Sequence, residues 1–255
     1  MEKVHGTMRP HGGSDSAPGR RDAPPVYPAR KPVPARAWAA GDAWGTGWYA
    51  ARMIPPAPPA AGPRGLQRTL DWISGYKAAQ NRALDAVPAA AVAELIELIR
   101  AAGSAGRRIF VCGNGGNAAN AAHFTTDLGK SASTFVPRPF KVLSLADNVS
   151  WMTAIGNDYS FDELFVRQLE NHAEQGDLLI LSSVSGSSPN LHAAIRWARE
   201  HGLVTIALVG GKRGTVAEHA DHLIVVDDVH YGRVEDVQMN ILHMLCYAFM
   251  ELKDD

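Results

Sequence analysis

Five serines in seven residues mark the stretch of this 255-residue chain best equipped for chemistry. They are Ser182, Ser183, Ser185, Ser187 and Ser188 in "SSVSGSSPN", grouped around Gly186. Hydroxyls combined with the N–H groups at a helix start bind a phosphate without requiring a cation. One serine would cap the helix that Pro189 opens; five exceed that need. A second candidate is "FVCGNGGNAANAAHF", residues 110–124, where Gly113-Asn114-Gly115-Gly116 separate an apolar run from an alanine-rich helix carrying His123. Strand, glycine turn and helix start together offer backbone N–H groups to an anion. Taken alone, the same segment is also an ordinary tight turn.

The elements that must position these loops alternate. "GLQRTLDWISGYKAAQNRALDAV" carries Leu66, Leu70, Ile73 and Tyr76 at helical spacing, and "PAAAVAELIELIRAAGSAG" is a second amphipathic helix. Thereafter strands ("RRIFVCG", "KVLSL", "DLLILSSVSGSS" at its start, "LVTIALVGG", "DHLIVVDD") alternate with helices, the last being "RVEDVQMNILHMLCYAFMELK". The strands are continuous apolar runs, such as 178–181 and 204–209, as expected when both faces of a sheet are covered. The fold class is therefore α/β, a doubly wound parallel sheet flanked by helices, whose ligands bind beyond the carboxyl ends of the strands. Residues 113–117, 182–188 and 210–214 are the polar or glycine-rich loops at those ends.

Composition narrows the functions. The net charge of −1 gives no overall pull toward nucleic acid or an anionic membrane, and no apolar run approaches the length that spans a bilayer. Cys112 and Cys246 lie inside apolar runs, which fits buried thiols in a reducing cytoplasm. Twelve of the 16 prolines fall in residues 1–64, a Pro/Ala/Gly/Arg-rich stretch expected to be a disordered extension, with residues 65–255 as the folded domain. Trp38, Trp44, Trp48 and Tyr49 are the aromatic exceptions in that extension. No nucleotide cofactor is expected. The chain lacks G-x-x-x-x-G-K-[ST], and the glycine turn has Ala118 where a dinucleotide fingerprint has its third glycine.

Four ordered blocks, "VCGNGG…HFTTDL", "ADNVSWMTAIGNDYSFDELF", "LLILSSVSGSSPNLHAAIRWAREHGLVTIALVG" and "RVEDVQMNILHML", resemble the SIS (sugar isomerase) domain family, most closely its phosphoheptose isomerases. The resemblance runs from about Leu66 to Leu252. It implies isomerisation of sedoheptulose 7-phosphate, with phosphate held by Ser183, Ser185 and Ser188, and with Asn114, Asn117 and Asp147 near the sugar. It implies Asp127 and His243 as the catalytic pair. It also implies a zinc set of His123, Asp127, Glu235 and His243, and a homotetramer; the two leading helices and the last helix carry apolar faces beyond what one sheet layer can cover, so the N-terminal helices are expected in an oligomeric bundle. The chain departs from the family pattern in having Val184 for a hydroxyl residue, Asp127 for glutamate and Glu235 for glutamine. A non-catalytic, ligand-sensing or protein-binding SIS module is the alternative that the departures at Val184 and Glu235 keep open, against the retained Asp127 and His243, and an amino-sugar phosphate isomerase or etherase on the same fold is another. The residues also have plainer uses. His123 and His243 would serve as ordinary helix histidines, Asp127 as a partner for Lys130, and Glu235 with Asp236 as first-turn acids.

Overall fold

The computed structural model describes residues 62–252. The Pro-rich stretch, with its tryptophans, lies outside the described residues except for its last three, and Pro63 and Arg64 already belong to a helix. Helix α1 (Pro63–Asp85) has proline in its first turn, where the missing N–H costs nothing. Helix α2 (Ala89–Ala105) stops at Gly106, whose φ of 69° supplies a left-handed cap. The remaining elements are β1 (Arg108–Gly113), α3 (Gly116–Thr126), β2 (Lys141–Ser144), α4 (Val149–Asp158), α5 (Val166–His172), β3 (Leu178–Ser183), α6 (Pro189–Glu200), β4 (Val204–Gly210), β5 (His222–Val226) and α7 (Tyr231–Glu251).

All five strands are parallel, in the order β2-β1-β3-β4-β5. The chain leaves β1 toward one side and returns on the other as β3. The crevice between β1 and β3 is thus the topological switch point, where doubly wound sheets bind ligands. In that pair Gly113 lies opposite Ser182. The register sets the glycine turn and the serine loop side by side.

Successive strand residues point to opposite faces, which explains the unbroken apolar runs. Ile109, Val111, Ile180, Ile206 and Leu208 pack with Leu95, Ile99, Phe124, Leu128, Ile241 and Leu245 of the α2, α3 and α7 side. Phe110, Cys112, Leu179, Leu181, Ala207 and Val209 pack with Phe165, Leu169, Leu191 and Ile195 of the α5 and α6 side. Each buried Leu, Ile, Val or Phe among them contributes roughly 1.5–3 kcal/mol of burial free energy. Both cysteines are buried and free, and burial pushes both thiols well above their ordinary range. Among the described residues no helix is long and apolar enough to cross a membrane.

Among the described residues the apolar stripe of α1 is left uncovered. Leu66, Leu70 and Ile73 are exposed, as is Trp72, and Ala83 is the buried residue of that helix. Helical spacing identifies an apolar face but not what lies against it.

Candidate active site

The serine loop leaves the end of β3 and closes on itself. The Gly186 N–H donates to Ser183 Oγ at 3.0 Å, and the Ser187 N–H donates to Ser185 Oγ at 3.2 Å. Ser188 occupies the N-cap position of α6, yet its side chain makes no capping bond. Its hydroxyl is not spent on the helix, so the capping role alone does not explain the serine. Gly186 has a φ of +64°, and the Val216 N–H donates to its carbonyl at 2.9 Å. The loop after β4 therefore braces the serine loop from behind. Gln238 of α7, fully buried, donates to the Leu208 carbonyl at 2.8 Å and secures the strand end beneath.

Facing the serines is the glycine turn. Gly115, at φ +57°, turns the chain, and Gly113 lets Asn117 approach so closely that an added Cβ would stand 2.6 Å from the Asn117 Cβ. The two loops enclose a small cavity of about 60 Å³, lined by Asn114, Asn117, Ser183, Ser185, Ser188 and Glu235, with Tyr231 also on its wall. Five of the six expected substrate-binding residues thus share one cavity. Asp147 is the sixth; it stands exposed beyond the end of β2 and does not line that cavity.

A second cluster lies further along α3 and α7, which pack side by side. The His123 Nε2 lies 3.3 Å from Asp127 Oδ2, and the His243 Nε2 lies 3.7 Å from the same oxygen. The two imidazoles meet edge to face with centroids 5.0 Å apart. Asp127 is largely covered, whereas both histidine side chains are substantially exposed. One ligand atom from each of the three residues lies within 4.8 Å of the other two. Two imidazole nitrogens and one carboxylate oxygen are a donor set that suits zinc, with a fourth position left open.

Glu235 does not join that cluster. It precedes His243 by eight residues, about 12 Å of helix rise. Its carboxylate lies where a Cβ on Gly116 would meet it, at the start of α3, and faces the serine cavity. Burial, with Asp236 adding to it, raises its pKa above the ordinary carboxylate range. Eight-residue spacing keeps two side chains on roughly one face, but it does not bring them to one point.

Three features of the site lack a clear sequence signal. Asp127 opens a π-helical turn, Asp127–Ser131, that continues α3. Such turns recur at functional sites. Tyr231 on the cavity wall lies one turn before Glu235. Asn190 is fully buried behind the serine loop and pairs with Asn114.

A model of the SIS domain matches residues 73–210, more than half of the chain. The chain belongs to the SIS domain family. Within that family the phosphoheptose isomerase of Citrifermentans bemidjiense is 37% identical over 156 residues, covering 61% of this chain and 81% of that protein. The phosphoheptose isomerase of Geobacter sulfurreducens is 34% identical over 180 residues, covering 69% of this chain and 95% of that protein. Among solved structures, the phosphoheptose isomerase of Neisseria gonorrhoeae is similar with a TM-score of 0.66 and 27% identity, covering 73% of this chain and 99% of that one. The Francisella tularensis phosphoheptose isomerase gives 0.65 and 26%, covering 73% and 98%. Both the SIS assignment and the phosphoheptose isomerase resemblance drawn from the four sequence blocks are borne out.

Proposed function

We infer that this SIS-domain protein is an aldose–ketose isomerase that converts sedoheptulose 7-phosphate to D-glycero-D-manno-heptose 7-phosphate. The observation that carries the reading is one arrangement. A cradle of serine hydroxyls sits at the switch point of the sheet, and a carboxylate shared by two imidazoles lies further along α3 and α7, whose N-terminal ends line the cradle's cavity with Asn117, Tyr231 and Glu235. The first is suited to a phosphate monoester, the second to proton transfer. A non-catalytic module would have no use for the second.

The chemistry assigns roles. Converting the ketose requires removal of a proton from C1, formation of an enediol between C1 and C2, and return of the proton to C2. A second group must move a proton between the two oxygens. Asp127 directs Oδ2 toward both histidines, leaving Oδ1 to take and return the carbon-bound proton. His243, partly exposed beside it, would serve the oxygens. The serine hydroxyls and the asparagines hold the other end, converting proximity into rate. His123, Asp127 and His243 would hold a divalent metal, and such an ion when bound supplies positive charge for the developing enediolate.

The exposed apolar residues of α1, and Met244 and Tyr247 beside His243 on α7, support assembly into a homo-oligomer, which we propose is a tetramer. The cradle and the histidine cluster sit toward opposite ends of α3, since His123 and Asp127 follow Gly116 by about 10 and 16 Å of helix rise. A neighbouring subunit would close the space between them or complete it. The two buried free thiols accord with a cytoplasmic location. Product analysis by NMR with sedoheptulose 7-phosphate tests the activity. The aldose 7-phosphate should accumulate to equilibrium. Tight binding of the ketose without conversion would instead establish the non-catalytic module.

A further inference from the structure

Asn114 and Asn190 face each other across the switch-point crevice. The Asn114 Nδ2 donates to Asn190 Oδ1 at 2.9 Å, and the Asn190 Nδ2 donates back to Asn114 Oδ1 at 2.9 Å. An isolated reciprocal amide pair is symmetrical; turning both amides over would satisfy it equally. Here the symmetry is broken. The backbone N–H of Leu191 donates to Asn190 Oδ1, also at 2.9 Å. That bond requires an oxygen on that side of Asn190, so its nitrogen must face Asn114 Oδ1. The Asn114 nitrogen must then face Asn190 Oδ1. A backbone N–H in the first turn of α6 thus fixes the orientation of an amide in the glycine turn.

Asn190 is fully buried and does not line the cavity; Asn114 does. One hydrogen of the Asn114 Nδ2 is committed to Asn190, and the other remains for a ligand. We propose that Asn190 is a positioning residue for the isomerase, locking Asn114 so that the site presents an N–H donor, rather than a carbonyl oxygen, to an oxygen of the bound sugar phosphate. The bridge also ties the loop after β1 to the helix after β3, so the two walls of the cavity keep one spacing. The proposal rests on the reading of this cavity as the substrate site.

The test is a double-mutant cycle on kcat/KM for sedoheptulose 7-phosphate, using Asn114→Ala, Asn190→Ala and the pair, with thermal melting of each variant. Losing one oriented hydrogen bond of this kind is expected to lower kcat/KM about tenfold. Asn190→Ala should show that loss in the wild-type background and none in the Asn114→Ala background, because its effect passes through Asn114. A merely structural role would lower the melting temperature while leaving the two effects on kcat/KM to multiply. Should Asn190→Ala fail to fold, Asn190→Leu keeps the volume but can neither donate to Asn114 nor accept from it, and it carries the same cycle. Multiplying effects, or an Asn190 variant with wild-type kcat/KM, overturn the positioning role alone. Wild-type kcat/KM in Asn114→Ala overturns the assignment of the cavity and the positioning role with it.

Discussion

Gly186→Ala perturbs the serine cradle where the backbone leaves no room. At φ +64°, an alanine incurs about 1–2 kcal/mol of backbone strain. Its Cβ would also stand 1.8 Å from the Arg213 carbonyl oxygen and 2.5 Å from its carbonyl carbon. These are main-chain atoms of the bracing loop and cannot swing aside as a side chain would. Relief requires the loops to part, which costs about 1–3 kcal/mol in comparable overpacking. Parting them stretches the Val216-to-Gly186 hydrogen bond, worth about 1 kcal/mol. The sum for the parted loops is roughly 3–6 kcal/mol. The same movement displaces the cradle. Misplacement of about 1 Å costs on the order of a hundredfold in rate. Gly115→Ala is the comparison: at φ +57° and ψ −121° it carries about 1–3 kcal/mol of backbone strain, but no atom lies within 4 Å of the added Cβ. Melting curves and kcat/KM with sedoheptulose 7-phosphate would be compared for both variants. Gly186→Ala should melt lower than Gly115→Ala and lose about a hundredfold in kcat/KM. A Gly186→Ala enzyme within twofold of wild-type kcat/KM would refute the idea that this contact shapes the phosphate site.

Other consequences concern stability, metal and assembly. The Arg233 guanidinium, paired with Asp228, holds that carboxyl down to about 2, helped by the N–H groups of His230 and Val229. An acid with a depressed folded pKa stabilises above its unfolded value, about 3.9, and loses that contribution as pH falls toward 2. Asp228→Asn should therefore be less stable than wild type in urea at pH 7, with the difference shrinking between pH 4 and pH 2; a constant difference across that range would contradict the pairing. If His123, Asp127 and His243 hold a metal, elemental analysis should find a divalent ion in the purified wild type that dialysis against a chelator removes. His243→Ala should retain little of it, and equal metal content in both would contradict the assignment. Ile73→Glu places a charge on the uncovered α1 stripe and should shift the species seen by light scattering toward smaller assemblies. An unchanged mass would mean that this stripe is not the interface.

The sheet was legible in the sequence because its strands are apolar runs, 178–181 unbroken and 204–209 interrupted only by Thr205, and both loops at the switch point announced themselves by composition. Spacing carried less. Leu66, Leu70 and Ile73 form a genuine apolar stripe that stays exposed among the described residues, and spacing does not say what lies against it. Glu235 and His243 share a helix face in projection, while the rise between them takes Glu235 to the serine cavity and leaves His243 with Asp127. The Asn114–Asn190 bridge joins positions 76 residues apart and depends on Gly113 lying opposite Ser182, a register that no local pattern encodes. The π-helical turn at Asp127 was not legible either. It spans Asp127–Ser131 and carries the fully buried Leu128, and no residue type in it announces a π turn.

Hydrogen exchange during turnover probes the shared carboxylate most directly. With sedoheptulose 7-phosphate in D2O, the wild-type enzyme should deliver aldose phosphate carrying deuterium at C2, read by NMR. Asp127→Asn should form neither product nor deuterated ketose, and His243→Ala should lose turnover while still being protected against melting by inorganic phosphate. An Asp127→Asn or His243→Ala enzyme that isomerises and exchanges at the wild-type rate would contradict the assignment of the proton work to this pair.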